Sequence, residues 1–461
     1  MSEVAKIPSL REYQVENCKE VDIQLNGLIQ YLLLIMPAGT GKTTVFSALG
    51  LKWYRQEKRL LFIVHRIELV YQIAARLKTF TLDSSIIGGN EKPDFTLRVQ
   101  VGMVQSLKKE FDWTPDYIII DECHHSQADS YSRLWDLYPK AKILGVTATP
   151  IRLDNLPFNN LYQKLINLHP VSYFIKNGFL AKPKHYVCTK PLTDIKIVNG
   201  EYDHVDLAKI MRDEKHIADV IDAYKRYTPG KRCIVFAVDV AHSKQLAQRF
   251  NEQGIPAGHI DGEMSKEARK AIIDKYTSGE ILVLVNYDIV TEGFDVPLTE
   301  AVALTRRTKS LAFFIQATSR CLRPKSPTDA GYGYILDCCG CWLDHGPAGI
   351  DFPWDINVTA EEIEKVKRKK RVMRSFAKKE KEFFEIVGMD LNHLEEDLER
   401  LLIFESYVHQ CVEKREPLTS AITMYKARLE LMDIKFSEMD ANYIQETLQD
   451  YGLSVTSMAL V

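Results

Sequence analysis

One segment restricts the fold more than any other. Leu32-Leu33-Leu34-Ile35-Met36 is an unbroken apolar run that passes directly into Pro37-Ala38-Gly39-Thr40-Gly41-Lys42-Thr43-Thr44, where a helix-compatible stretch begins. A strand with no polar alternation has to be buried on both faces, the situation inside a parallel sheet covered by helices. The turn that follows is glycine-rich and ends in Lys-Thr at a helix start. In that context backbone N–H groups curl around phosphate oxygens and the helix dipole favours the anion. Gly39, Thr40, Gly41 and Thr44 form the cradle, Lys42 brings a point charge, and Thr43 brings a hydroxyl for a metal ion. The first position of the strict pattern is Met36 rather than glycine.

The same alternation continues along the chain. Leu60 to Val64, Tyr117 to Ile120 and Ile143 to Val146 read as buried strands, with a helix over Glu68 to Lys78. The pattern then restarts. Cys233 to Ala237, Ala257 to Ile260, Ile281 to Val285, Ala301 to Leu304 and Tyr334 to Leu336 are strand-like, with helices over Ala241 to Gln253 and Ser265 to Tyr276. After Pro353 the strand-like runs stop, and Leu391, Leu394, Leu398, Leu401 and Leu402 recur at helical spacing. The expected organisation is therefore α/β, with domains at 1–170 and 171–350 and an all-helical tail at 351–461.

A chain of 461 residues has room for two to four domains at roughly 100–200 residues each. Lys plus Arg total 60 and Asp plus Glu total 62, so the net charge of −2 excludes a globally basic coat protein but not a local basic track. Nine scattered cysteines fit a reducing compartment better than a disulfide scaffold. The N-terminus has no apolar signal core and no run is long enough to span a bilayer, so a soluble, cytoplasmic protein without membrane contact is expected.

Asp121-Glu122-Cys123-His124 follows the strand at Tyr117 to Ile120. Two adjacent carboxylates at a strand tip are costly unless they face metal or water. Asp121 is suited to hold Mg²⁺ together with Thr43, and Glu122 to orient and deprotonate an attacking water. A phosphate loop still needs positive charge from elsewhere, because phosphoryl transfer depends on electrostatics and positioning. Arg320 and Arg323, three residues apart in the second α/β unit, can supply it.

Taken in order, these segments resemble superfamily 2 helicases of the DExH type over about residues 8–350. Arg11 to Gln14 resembles the element that reads adenine, with Arg11 and Gln14 as nucleotide contacts. Gly39 to Thr44 and Asp121 to His124 resemble motifs I and II. His65-Arg66 and Gln105-Ser106 fall in stretches similar to motifs Ia and Ib, which lie along the nucleic-acid strand in the family. Thr147 to Pro150 resembles motif III. Thr291, Gly293 and Asp295 lie in a stretch like motif V, with Thr291 implied on the strand and Gly293 and Asp295 at the nucleotide. Arg307 and Lys309 resemble strand contacts just beyond it. Gln316 to Arg323 is similar to motif VI, which implies a catalytic role for Gln316 and arginine fingers at Arg320 and Arg323, although Ser319 stands where glycine is usual. Ile175 to Leu180 and Asp337 to Gly346 resemble a group of phage, bacterial and mitochondrial DNA helicases that includes UvsW-like branch-migration enzymes.

The resemblance implies two tandem RecA-like parallel-sheet domains and ATP with Mg²⁺ as cofactors. The implied activity is an ATP-driven helicase or translocase that remodels duplex, forked or branched DNA. RNA as the track, or a nucleic-acid-binding subunit of a larger defence or restriction complex, remain alternatives. Ten basic residues between Lys365 and Lys381 suit duplex or fork binding. The tail could also dock a protein partner. Cys338, Cys339, Cys341 and His345 read as ordinary thiols and a histidine, with a zinc site as the alternative.

Overall fold

The structure is a computed structural model, and it describes residues 7–89, 91–107, 113–125, 129–151, 156–190, 192, 195–289, 299–326, 330–357, 419–431 and 444. The chain divides into two compact units, Met1–Gly388 and Met389–Val461. In the second unit the described helix Thr419–Leu431 buries Ala421, Tyr425 and Leu429, a one-sided stripe at four-residue spacing. The basic run at 365–381 and the Leu391–Leu402 stretch lie outside the described residues. Among the described residues, no helix is long and apolar enough to cross a membrane.

The first unit opens with α1 (Glu12–Asn26), β1 (Tyr31–Ile35), α2 (Lys42–Arg55), β2 (Leu60–Val64), α3 (Ile67–Lys78), β3 (Ser85–Ile87) and β4 (Val99–Met103). Then come β5 (Tyr117–Asp121), α4 (Asp129–Leu137), β6 (Lys142–Thr147) and β7 (Lys164–Ile166). These seven strands are all parallel, in the order β3-β4-β2-β5-β6-β1-β7. Leu32, Leu33 and Leu34 in β1 are completely buried, as their lack of polar alternation demands.

The second sheet uses β8 (Lys182–Val187), which follows α5 (Val171–Lys176). A short hairpin of β9 (Ile197–Val198) and β10 (Glu201–Tyr202) leads into α6 (His204–Met211) and α7 (Glu214–Tyr227). Next come β11 (Cys233–Phe236), α8 (Val240–Glu252), β12 (Ala257–Ile260), α9 (Lys266–Ser278), β13 (Val283–Asn286), β14 (Ala301–Leu304), α10 (Leu311–Ser319), β15 (Tyr332–Asp337) and α11 (Trp342–His345). This parallel sheet runs β12-β13-β11-β14-β15-β8.

The chain passes between the two sheets twice. Phe174 and Leu180 still belong to the first core, and Ala181 N–H donates to Leu322 O of the second layer at 2.7 Å. After β15 the chain returns. Asp351 accepts from Ser172 N at 2.9 Å and from Ser172 Oγ at 2.6 Å, and Trp354 packs against a core cluster of each sheet.

Gly145 shows how tightly the first sheet is packed. It pairs with Leu33 across β1 and β6, and a Cβ at this position would fall 2.5 Å from Tyr162 Cζ. Gly145→Ala is expected to destabilise the protein by about 1–3 kcal/mol through overpacking. Tyr162→Leu in the same chain should recover part of the loss, as read by denaturant unfolding.

Candidate active site

The phosphate loop takes its shape from two glycines. Gly39 and Gly41 adopt φ of 83° and 88°, and Gly41 is the residue before α2. A Cβ on Gly41 would fall 2.5 Å from Gln14 Nε2, so only glycine fits beneath that amide. Tyr13 Oη donates to Thr40 O at 2.8 Å and Gln14 Nε2 to the same oxygen at 3.2 Å. Gln14 Oε1 accepts from Arg11 N at 3.0 Å. Gln14 thereby braces the loop as well as standing at its edge. Thr44 Oγ1 accepts from Arg76 Nη2 at 2.7 Å, and Thr43 O accepts from Ser47 Oγ at 2.6 Å.

Strand β5 runs parallel to β6, and β6 to β1, so Asp121 and Glu122 arrive beside the phosphate loop. Lys42 Nζ lies 3.4 Å from Glu122 Oε1. Burial, then the neighbouring Glu122 charge, push the Asp121 carboxyl up to about 7, against the pull of Lys42. A divalent cation at this carboxylate would offset both effects. The set offered by Asp121 and Thr43 is hard oxygen, which fits such an ion. Glu122 sits at φ 47°, a left-handed conformation costing about 1–3 kcal/mol outside glycine, and its N–H donates to Asp121 Oδ1 at 3.0 Å.

His124, the last residue of the segment that resembles motif II, bridges the two sheets. Its Nδ1 is 3.0 Å from Thr147 Oγ1 and 3.5 Å from Glu122 Oε2. Its Nε2 is 3.3 Å from Gln316 Nε2, which comes from α10 of the second sheet. Ser310 caps α10, its Oγ accepting from Phe313 N at 3.2 Å, and the helix ends at Ser319 with Arg320 as the residue that follows. Arg323 lies against the loop, its Cγ 3.2 Å from where a Gly39 Cβ would stand. The geometry therefore gathers Gln14, the loop, Glu122, His124, Thr147, Gln316 and Arg323 into one cleft. Thr291, Gly293 and Asp295 lie outside the described residues.

Of the expected strand contacts, His65 and Arg66 follow β2, and Gln105 and Ser106 follow β4 in a short 3-10 turn. The register Val64↔Met103 brings both pairs to the carboxyl edge of the first sheet, where Arg66 and Gln105 are exposed. Arg307 requires a correction. It is 6% exposed, so it does not line an open surface. Its Nε donates to Asp344 Oδ2 at 3.1 Å and its guanidinium lies over Tyr202 at 4.7 Å. Lys309 Nζ donates to Asp344 Oδ1 at 2.6 Å and is half-buried. Charge pairing with Asp344 explains why both cations turn to it.

The cysteine cluster is also explained. Asp337, Cys339 and Cys341 place ligand atoms within 4.8 Å of one another. However, Asp337 accepts from the backbone N–H of Cys339, Gly340, Cys341 and Trp342, and burial pushes the Cys339 thiol well above its ordinary value. His345 Nε2 faces Thr308 O at 2.8 Å. These hydrogen bonds make Asp337 the cap of the turn that follows β15.

Residues 7–152 match the family described as Type III restriction enzyme, res subunit, and residues 215–325 match the helicase conserved C-terminal domain. A 51.5 kDa protein of Lactococcus phage (isolate 7-9) is 31% identical over 319 residues, covering 69% of this chain and 68% of that protein. The DNA 3'-5' translocase XPB2 of Sulfurisphaera tokodaii is 25% identical over 365 residues, covering 68% of this chain and 79% of the translocase. Among solved structures, the ATP-dependent Type ISP restriction-modification enzyme LlaBIII bound to DNA aligns with a TM-score of 0.55 at 16% identity, over 86% of this chain and 31% of that one. Curated relatives are matched over 34% to 79% of their own length.

Two outcomes are expected. Removing either side of the His124–Gln316 contact should slow hydrolysis, and His124→Ala with Gln316→Ala should cost little more than one alone, as a double-mutant cycle of ATPase rates would read. For Asp344, burial raises the carboxyl, but Arg307 and Lys309 outweigh it and hold the group below its usual range. Its stabilising contribution is therefore present above the ordinary carboxyl pKa and lost as pH falls through the lowered value. Asp344→Asn should cost about 3–5 kcal/mol near pH 7, with the gap to wild type closing in strong acid.

Proposed function

The chain belongs to the superfamily 2 helicases, and its enzymatic class is that of a nucleic-acid-dependent ATPase; from this premise we propose that it is a DNA translocase that uses ATP and Mg²⁺ to remodel duplex, forked or branched DNA. One observation carries the reading. Arg323, from the second sheet, lies against Gly39 of the phosphate loop in the first, so both sheets contribute to one phosphate site.

In this reading the loop N–H groups and Lys42 bind the polyphosphate, and Thr43 and Asp121 would hold Mg²⁺. Held there, such an ion would supply positive charge that offsets that of the phosphates. Glu122 exchanges its contact with Lys42 for the attacking water and takes its proton. Arg320 and Arg323 oppose the charge that develops on the leaving phosphate, an effect of about 10³–10⁵ in rate where arginine fingers have been removed. Gln316 and His124 make hydrolysis depend on how the second sheet sits against the first. His65-Arg66 and Gln105-Ser106 grip the strand from the first sheet, mainly through phosphates.

DNA is favoured over RNA because XPB2, matched over 79% of its length, is named as a DNA translocase, whereas the relatives named as RNA helicases are matched over 57% and 61% of theirs. The resemblance of Ile175 to Leu180 and Asp337 to Gly346 to phage and bacterial DNA helicases points the same way. A second reading, a motor subunit within a larger restriction or defence assembly docked through the tail, is favoured by the match of residues 7–152 to a restriction subunit family.

The test is ATPase stimulation by single-stranded DNA, duplex DNA, forked DNA, four-way junctions and RNA. Forked or four-way DNA should stimulate most, and preferential stimulation by RNA would refute the DNA assignment. Lys42→Ala and Glu122→Gln should each lower turnover by several powers of ten, and retained hydrolysis in either would overturn the catalytic roles.

A further inference from the structure

Arg76 has no part in the chemistry above, yet its side chain reaches the phosphate loop. It stands in the last turn of α3, a helix that packs Val70, Ile73 and Leu77 into the same core as Val45, Phe46 and Leu49 of α2. This shared core fixes where Arg76 sits relative to the start of α2. From there Arg76 Nη2 donates to Thr44 Oγ1 at 2.7 Å, and its Cζ lies 5.5 Å from the centroid of the buried Phe80 ring. Among the described residues, no carboxylate pairs with this half-buried guanidinium. Thr44 Oγ1 in turn is 3.5 Å from where a Gly41 Cβ would stand, so the hydroxyl lies against the loop.

The hydroxyls around the loop differ in what they do with their protons. Tyr13 Oη donates to Thr40 O, Thr40 Oγ1 to Pro37 O at 2.7 Å, and Ser47 Oγ to Thr43 O. Those three protons are spent on carbonyls. Thr44 is different. A guanidinium has only donors and no acceptor, so Thr44 Oγ1 can only accept from Arg76. The Thr44 proton has no acceptor among the described residues. A cationic donor on the oxygen also polarises the O–H bond and makes it a stronger donor.

We infer that Arg76 is a positioning residue for the nucleotide: by donating to Thr44 Oγ1 it leaves the Thr44 hydroxyl proton for a phosphate oxygen held in the loop. The inference rests on the nucleotide site proposed above. It assigns Arg76 an action through Thr44 rather than a contact with the phosphates, and fixing the hydroxyl in advance removes an ordering cost at binding.

The experiment measures the affinity of the full chain for ADP by calorimetry. Arg76→Met keeps a long side chain but removes its N–H groups, and should weaken ADP about three- to tenfold. Arg76→Lys keeps a donor and should recover most of that loss. Thr44→Val removes the hydroxyl at nearly constant shape and should weaken ADP by a similar factor. Adding Arg76→Met to Thr44→Val should then cost less than about twofold more, because Arg76 acts through that hydroxyl. Unchanged ADP affinity in Arg76→Met would overturn the proposal. So would a full loss from Arg76→Met in the Thr44→Val background, which marks an effect of packing or of charge alone. If the wild-type chain binds no ADP, the nucleotide site itself is refuted, and the role of Arg76 with it.

Discussion

The constraint on which the structure depends is a charge problem at a strand end. Asp121 and Glu122 stand side by side where β5 leaves the sheet, and burial together with the Glu122 charge disfavours the ionised form of Asp121. Only cations make that arrangement tolerable, and the fold brings one from the loop at Lys42, 3.4 Å from Glu122. The parallel pairing of β5, β6 and β1 sets this meeting, because it aligns the carboxyl ends of three strands. The left-handed backbone of Glu122 lies beside the same neighbours, its N–H donating to Asp121 Oδ1, so strain and charge meet at one residue.

His124 extends that cluster beyond the first sheet. With Thr147 on one ring nitrogen and Gln316 on the other, the imidazole connects β6 to α10. The lobes thus meet through a polar contact whose geometry is directional, and a small change in their separation changes it sharply. A purely apolar contact would slide more gradually.

Much of this was legible in the sequence, for physical reasons that also mark the limits. Strand β1 and its loop were readable because an uninterrupted apolar run followed by glycines has few structural solutions. The strands β11, β13 and β14 were readable on the same ground. Strand β8 was not, because Lys182-Pro183-Lys184-His185-Tyr186-Val187 is an edge strand, buried on alternate residues only. Strand β4 hides behind Gln100 and Gly102, the first donating its Nε2 to the carbonyls of Asp94 and Leu97 and the second pressed against Ile87. The Arg307 placement was beyond sequence reasoning because its partner Asp344 is 37 residues away, and a cation gives no local sign of whether it faces a carboxylate or solvent. His124 was in view, but its role depends on a residue 192 positions later.

The two crossings between the sheets have a mechanical meaning. A body joined to another by a single strand of chain can swivel as well as swing. Here the backbone leaves the first core at Leu180–Ala181 and comes back at Asp351 and Trp354, so the joint has two pins. Such a joint swings like a door, and the line through its pins fixes the axis. A joint of that kind would favour swinging of the two sheets over swivelling.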